Sequence, residues 1–304
     1  MSNARIYAVQ HIRRMRGGAQ PHLMRASDGN FYIVKFQNNP QHLRVLANEL
    51  FATRLAASLG LSVPDVQPIE VSDLLIENSP ELRIKIGVHL LPCAPGLQVG
   101  SRYVANLERD LIFEYLPESM LDKVVNRQDF ARIVAFDKWT GNCDGRQAVF
   151  TKQPRKHFYK AWFVDQGYCF NAAEWTFPDL ALHGAYYKDY VYKEVTGWDS
   201  FEPLLSRIEA IDYVELWRCA AAIPHEWFEH DGEGLFQLIE TLYRRRSLVP
   251  DLITDFRNST RNPFPGWTAI HVAVPQTNDS IKEETRPALV CSEGCRTKHT
   301  AQGC

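Results

Sequence analysis

The chain has 304 residues, 45% of them hydrophobic and 23% charged, with a formal net charge of −2. That length supports a substantial core in one or two domains, and the near-neutral balance gives no global argument for nucleic-acid or membrane binding. No apolar run approaches the length of a bilayer-spanning helix.

The first residues, MSNARIYAVQHIRRMRGG, lack the apolar centre of a secretory signal. Seven cysteines, at positions 93, 143, 169, 219, 291, 295 and 304, form an odd, scattered set. Both features fit a cytoplasmic protein without a disulfide framework. Cys291 and Cys295, with His299 nearby, do not amount to a zinc site, which needs four placed ligands. They fall in a polar stretch, 273–304, for which disorder is the expectation. The basic runs Arg13-Arg14-x-Arg16 and Arg244–Arg246 read as solvated faces, so no nucleic-acid partner is expected.

In chain order, RIYAVQHI, HLMRAS and NFYIVKFQ are strand-like. The second and third are joined by Ser27-Asp28-Gly29-Asn30, a hairpin signal. LRVLANELFATRLAASLG carries apolar residues at helical spacing and stops at Gly60. SVPDVQPIEV and LRIKIGVHLLP read as further strands, and 92–103 as a connection. From about residue 105 the periodicity turns helical, in LERDLIFEYLP, DFARIVAFDKWTG, DSFEPLLSRIEAID, VELWRCAAAI and EGLFQLIETLYRRRSLV. KAWFVDQGYCF is a strand running into a turn. A β-rich first part and a helical second part make the fold class α+β.

Four features carry chemistry. Gly17-Gly18-Ala19-Gln20 sits in the turn between the first two strands, where glycines let backbone N–H groups approach an anion. No GxxxxGK[ST] motif occurs, so this is not a Walker loop. Lys35 interrupts the apolar strand YIVKF and shares a face with Ile33, and lysines are seldom buried without a partner. Glu49, early in the following helix, is within geometric reach of it. Asp144 lies in the polar break GNCDGRQ after a helix, and Asp165 ends the strand-like AWFV before Gln-Gly. Each residue alone reads as turn or surface chemistry, but two carboxylates on adjacent loops could hold Mg²⁺ and orient a hydroxyl.

In that order the motifs resemble the HipA-like kinases, a branch of the protein-kinase-like fold related in layout to the phosphatidylinositol kinases. The resemblance rests on Gly18-Ala19-Gln20-Pro21, YIVKF at 32–36, Asn48-Glu49 with LAASLGLSVPD at 55–65, GNCDGRQ at 141–147 and FVDQG at 163–167. It is nearest to the smaller, stand-alone HipA-like domains. The resemblance implies a bilobal kinase fold, with an antiparallel β N-lobe over 1–100 and a mostly helical C-lobe over 101–272. It implies ATP and Mg²⁺ as cofactors and transfer of phosphate to a hydroxyl, protein Ser/Thr, the kinase's own included, being favoured over a small molecule or lipid.

By the same resemblance, Gly17, Gly18, Ala19 and Gln20 cover the phosphates and Lys35 contacts them, held by Glu49. Asp144 takes the catalytic-loop position and Asp165 binds the metal. Where related kinases place a second metal-binding Asn, five residues after the catalytic Asp, this chain has Val149. Gln147 and Asn142 are the neutral oxygen donors that could replace it. A nucleotide-binding pseudokinase and an AMP transferase are the alternatives this departure leaves open. The adenine-contacting segment is expected near 84–92 or just after it.

Overall fold

Three short β-hairpin-forming segments open the chain: β1 (Ala8–Arg14), β2 (His22–Ala26) and β3 (Phe31–Lys35). The computed structural model describes residues 5–267, so the 273–304 stretch and Cys291 and Cys295 lie outside the described residues. The β2–β3 turn is held by Asp28, whose carboxylate accepts from the Asn30 N–H at 3.0 Å and the Tyr32 hydroxyl at 2.7 Å, the local bonding that Asx turns favour. The predicted helix forms as α1 (Arg44–Ser58). It ends before Gly60, whose φ of +85° is readily adopted only by glycine.

After α1 come β4 (Val66–Val71), the short α2 (Asp73–Glu77), β5 (Arg83–Ile86), β6 (His89–Pro92) and β7 (Gly96–Arg102). Two expectations are corrected here. The run 82–92 is not one strand but a β5–β6 hairpin folded about Gly87. The connection expected over 92–103 contains β7, which pairs with both β3 and β4 in an antiparallel sheet of order β1-β2-β3-β7-β4. Its weak strand signal has a packing cause: a Cβ on Gly100 would lie 2.3 Å from Ile69 Cγ1, so only glycine lets these neighbouring strands pack. β7 also carries the sheet to Arg102, past the boundary expected at residue 100.

The second part begins with β8 (Leu111–Phe113), where a helix was expected. Its apolar residues are consecutive and pair with Phe150–Lys152; so short a run does not distinguish strand from helix by periodicity. Next are α3 (Asp129–Thr140), β9 (Gln147–Lys152) and β10 (Lys160–Val164), the last two pairing antiparallel. Four helices follow: α4 (Leu204–Ala210), α5 (Tyr213–Ala220), α6 (Gly232–Arg245) and α7 (Val249–Arg257). α3 is buried almost all round, as the central helix of a helical layer must be. Phe130 packs edge-on against Phe163 and Tyr186, and the Trp139 indole donates to the Leu242 carbonyl at 2.9 Å.

One core runs from α1 through α3 into the last helices, and a second lies between the main sheet and the β5–β6 hairpin. The second core contains a buried histidine. His22 is fully buried and lies 3.0 Å from the His11 ring nitrogen and 3.9 Å from Cys93 Sγ. Burial, with His11 beside it, lowers the His22 pKa to about 4 from its ordinary 6.5. The folded chain therefore resists a proton that the unfolded chain accepts between those values. Stability from this group is intact above pH 6.5 and falls as the pH drops toward 4, by up to about 3 kcal/mol. We expect the melting temperature of the wild type to fall more steeply than that of His22→Gln over this range. Parallel slopes in calorimetry would show that His22 titrates normally in the fold.

Candidate active site

Lys35 is the last residue of β3, and β3 delivers its side chain to the face where α1 packs. Its Nζ donates to Glu49 Oε2 at 2.8 Å and to Asp165 Oδ1 at 2.6 Å. Lys35 and Glu49 are both buried, whereas the Asp165 side chain keeps about a third of its surface exposed. Burial alone would lower the Lys35 pKa, but the Asp165 and Glu49 carboxylates outweigh it and hold the ammonium's pKa above its ordinary value. Burial likewise opposes ionisation of Asp165, and Lys35, then Arg146 and Gln147, reverse that and keep its pKa low. The group is a charged cluster with one open side.

Asp165 follows β10 directly, and its φ of +62° is a left-handed conformation that costs a non-glycine residue energy. Its second oxygen, Oδ2, accepts from the Gln147 amide at 3.2 Å. This contact follows from register: Gln147 begins β9 opposite Val164, the residue before Asp165. Asp144 lies three positions earlier, exposed at the same end of the β9–β10 pair. Its carbonyl accepts from the Gly184 N–H at 3.1 Å. Both carboxylates are felt by Tyr168, whose hydroxyl pKa is raised by burial, then by Asp144, then by Asp165. The fold thus brings Lys35, Glu49, Asp144, Gln147 and Asp165 to one place from four separate segments.

Asn142, by contrast, does not face this space. It is buried, its amide donates to Asp137 Oδ1 at 3.0 Å, and its oxygen accepts from the Asp144 N–H at 3.2 Å. Both ends of the amide are committed to shaping the loop, which corrects the expectation that it could ligate a metal. Val149 sits within β9 opposite Trp162, and alternation places both on the Gln147 and Val164 face. Gln147 is therefore the neutral donor beside Asp165. Among the described residues no cluster of three or more His, Cys, Asp or Glu is placed to hold a metal ion.

The glycine turn lies between β1 and β2, with Gly17 at φ +133°. A Cβ on Gly18 would come within 2.6 Å of the Gln41 amide. The N–H groups of Gly17, Gly18 and Ala19 meet no acceptor among the described residues. Gln20 behaves differently from its expected role. Its side chain donates to the Lys85 carbonyl at 2.7 Å and accepts from the Lys85 N–H at 2.9 Å, pairing with β5 as a strand would. Gln20 therefore anchors the turn to the hairpin, and its amide is not free for a phosphate.

Residues outside the expected site hold it together, Arg146 in the structural role that, beside a contact to phosphate, its sequence position suggests. Arg146 is fully buried and forms a two-pronged ion pair with Asp137 of α3, one bond being Nε to Oδ2 at 2.9 Å. Its remaining donor reaches the Val164 carbonyl at 3.1 Å and Gln166 Oε1 at 2.6 Å. Asn48, the neighbour of Glu49, donates to the carbonyls of Gly167, Cys169 and Ala172 at 2.7–3.1 Å. The available signal was Asp137 in the apolar run IVAFDKW, since a charge amid core residues implies a buried partner.

At the far end of β3, a cavity of about 780 Å³ is lined by Ile12, Phe31, Pro64, Tyr103, Leu107 and Trp162. It adjoins the segment by which the chain leaves β7. The β5–β6 hairpin, which spans most of the 84–92 stretch, packs on the opposite sheet face, against Val34 and Phe36.

Residues 8–156 match the family model for HipA-like kinases. No curated protein sequence matches the chain. Among solved structures, the proinflammatory kinase CtkA of Helicobacter pylori superposes with a TM-score of 0.51 at 13% identity, over 80% of this chain and 93% of that one. Hydra Fam20, solved with sugar, gives 0.51 at 13% identity, over 85% of this chain and 88% of the other. The Golgi casein kinase gives 0.50 at 13% identity, covering 83% and 74%. At such identities the likeness shows a shared kinase-like fold and nothing of substrate. The family match spans the glycine turn, Lys35, Glu49 and Asp144, and over that part the chain is similar to the HipA-like kinases.

Proposed function

We propose that the protein is an ATP- and Mg²⁺-dependent kinase that transfers the γ-phosphate to a hydroxyl, most plainly that of a protein Ser or Thr. The observation that carries this reading is the Lys35–Glu49–Asp165 cluster, an ammonium fixed between two carboxylates with Asp144 beside it. Phosphoryl transfer asks the protein for positioning and charge neutralisation more than for covalent chemistry, and the cluster has the parts for both.

The residues fit a nucleotide. Phe31 and Lys35 share a face of β3 about 13 Å apart at roughly 3.3 Å per residue, a span that an extended nucleoside triphosphate covers. The base would occupy the cavity by Tyr103 and Trp162, whose volume is within the range of small-molecule sites. The N–H groups of Gly17, Gly18 and Ala19 would bind the phosphates. Lys35 would neutralise phosphate oxygens, kept charged and aimed by Glu49. Asp165 and Gln147 would hold Mg²⁺, which when bound supplies positive charge to the phosphates. Asp144, exposed and next to the cluster, would orient the acceptor hydroxyl and take its proton. That oxygen bonds to the γ-phosphorus as the bond to the β-phosphate oxygen breaks, leaving ADP.

One observation favours a second reading, a nucleotide-binding pseudokinase that serves as a partner-binding module. Asn142 is turned inward and Val149 has no donor, so among the described residues Asp165 and Gln147 are the donors left for the ion. Transfer of AMP is a third outcome that mass alone separates.

Two experiments test these readings. Intact mass after incubation with Mg·ATP and a generic Ser/Thr acceptor protein should show one added phosphate and ADP release. Asp144→Asn should reduce the rate by about 10³-fold or more. ATP binding without turnover in both proteins would establish the pseudokinase, and a gain of AMP the transferase. Secondly, Asp165 has one oxygen on Lys35 and the other on Gln147. Mg²⁺ alone should therefore leave the melting temperature unchanged while Mg·ATP raises it. Lys35→Met should abolish the rise. A shift of equal size with Mg²⁺ alone would mean that the cluster does not need the nucleotide to take up the ion.

A further inference from the structure

The segment between Asp165 and the backbone contact of Gly184 with Asp144 links the two carboxylates of the site. Two buried cations from the helical core spend their donors on it. Arg245, the last residue of α6, pairs with Asp179 through Nη1–Oδ2 at 2.8 Å and Nη2–Oδ1 at 2.5 Å. The same guanidinium donates to the carbonyls of Lys138 and Trp139 at the end of α3, at 3.0 and 3.1 Å, and stacks 4.1 Å over Phe177. Lys138 Nζ donates to the carbonyls of Ala181 and His183 at 2.8 and 2.6 Å. Arg245 and Lys138 are buried, and neither is in contact with the Lys35 cluster.

The geometry downstream is tight. Gly184 has φ +74°, and a Cβ there would lie 2.5 Å from Asp137 Cβ. Asp137 is the partner of Arg146, and Gly184 N–H is the donor to Asp144. A shift of 179–183 would therefore be passed to Asp144 through Gly184. Such loops in kinases are commonly ordered by a phosphate set against an arginine. Here a fixed carboxylate, Asp179, already occupies the arginine. Across 166–184 the sole Ser or Thr is Thr176, whose hydroxyl accepts from the Asn171 amide at 2.8 Å.

We infer that the Asp179–Arg245 ion pair, with Lys138 beside it, is a built-in positioning clamp that keeps the 165–184 segment in its working arrangement without phosphorylation of that segment. The inference rests on the proposed kinase function. Asp179 touches neither nucleotide nor acceptor; it acts through Gly184 on Asp144.

The test compares wild type, Asp179→Asn and Asp179→Glu, using full-length protein, Mg·ATP and a generic Ser/Thr acceptor protein. Asp179 is the position to change because its side chain is about 30% exposed, so Asn fits without a packing defect. Asp179→Asn should lower kcat about tenfold, leave KM for ATP within about twofold, and speed hydrogen exchange across 166–184 alone; Asp179→Glu should restore most of kcat. Wild type treated with phosphatase should react without a lag. A wild-type kcat in Asp179→Asn, a loss shared equally with KM, unchanged exchange in the segment, or a lag removed by prior phosphorylation at Thr176 would each overturn the clamp. An inactive wild type whose exchange still responds to Asp179→Asn would instead overturn the kinase reading and leave the clamp as a structural fact.

Discussion

The guanidinium of Arg146 is the point on which the site's layout depends. It has no exposed surface, and its donors go to Asp137 on α3, to the end of β10 and to Gln166 just past Asp165. Burying two charges costs several kcal/mol each, which their attraction offsets only when further hydrogen bonds complete the geometry. Here they do, and the result is that the loop carrying Asp144 and the loop carrying Asp165 are fixed to the same helix by one side chain. Removing either partner would leave an uncompensated buried charge between the two loops. The pair is therefore better read as a specifier of geometry than as a source of stability.

α1 performs the matching task from the other side. Asn48 and Glu49 are adjacent, so about 100° of helix separates their side chains, and both meet the segment that follows Asp165. Asn48 satisfies three backbone carbonyls of 167–172, and Glu49 reaches Lys35. The close passage is possible because residue 167 is glycine: a Cβ there would come within 2.5 Å of Val45 Cγ1. Lys35 thus stands at a junction of the main sheet, α1 and the loop after β10, and its position reports on all three.

Much of this was legible in the sequence. The strands β1 to β3, the helix α1 with its Gly60 stop, and α3 ending at Gly141 all carry local signals that agree with their tertiary surroundings. The order of Lys35, Glu49, Asp144 and Asp165 was legible through the resemblance. What failed did so for physical reasons. β7 is a strand because of Gly100 packing against Ile69, and glycine is a poor local advertisement for a central strand. β8 is three residues long, too short for any period. Gln20 and Asn142 have the right chemistry for ligands, but their amides complete backbone patterns, and nothing in a linear sequence tells an amide aimed at a ligand from one aimed at a peptide group.

That last distinction separates structure from function throughout the molecule. Arg146, Asp137, Asn142 and Arg245 are polar or charged, and the fold surrounds each with partners on every side. Lys35, Asp144, Gln147 and Asp165 are of the same chemical kinds, yet Asp144 and Gln147 are exposed, and Asp165, in a left-handed backbone, keeps about a third of its side chain exposed beside the buried Lys35. Fully partnered polar groups rigidify a fold, because any movement breaks several bonds in a low-dielectric interior. Groups with one open side hold their charge but leave a direction unsatisfied. In this chain the first set borders the second along the Asp137–Arg146–Gln166 line, so the rigid network ends where the open one begins. A site arranged in this way needs little reorganisation when a charged ligand arrives, which is the condition under which electrostatic stabilisation is most effective.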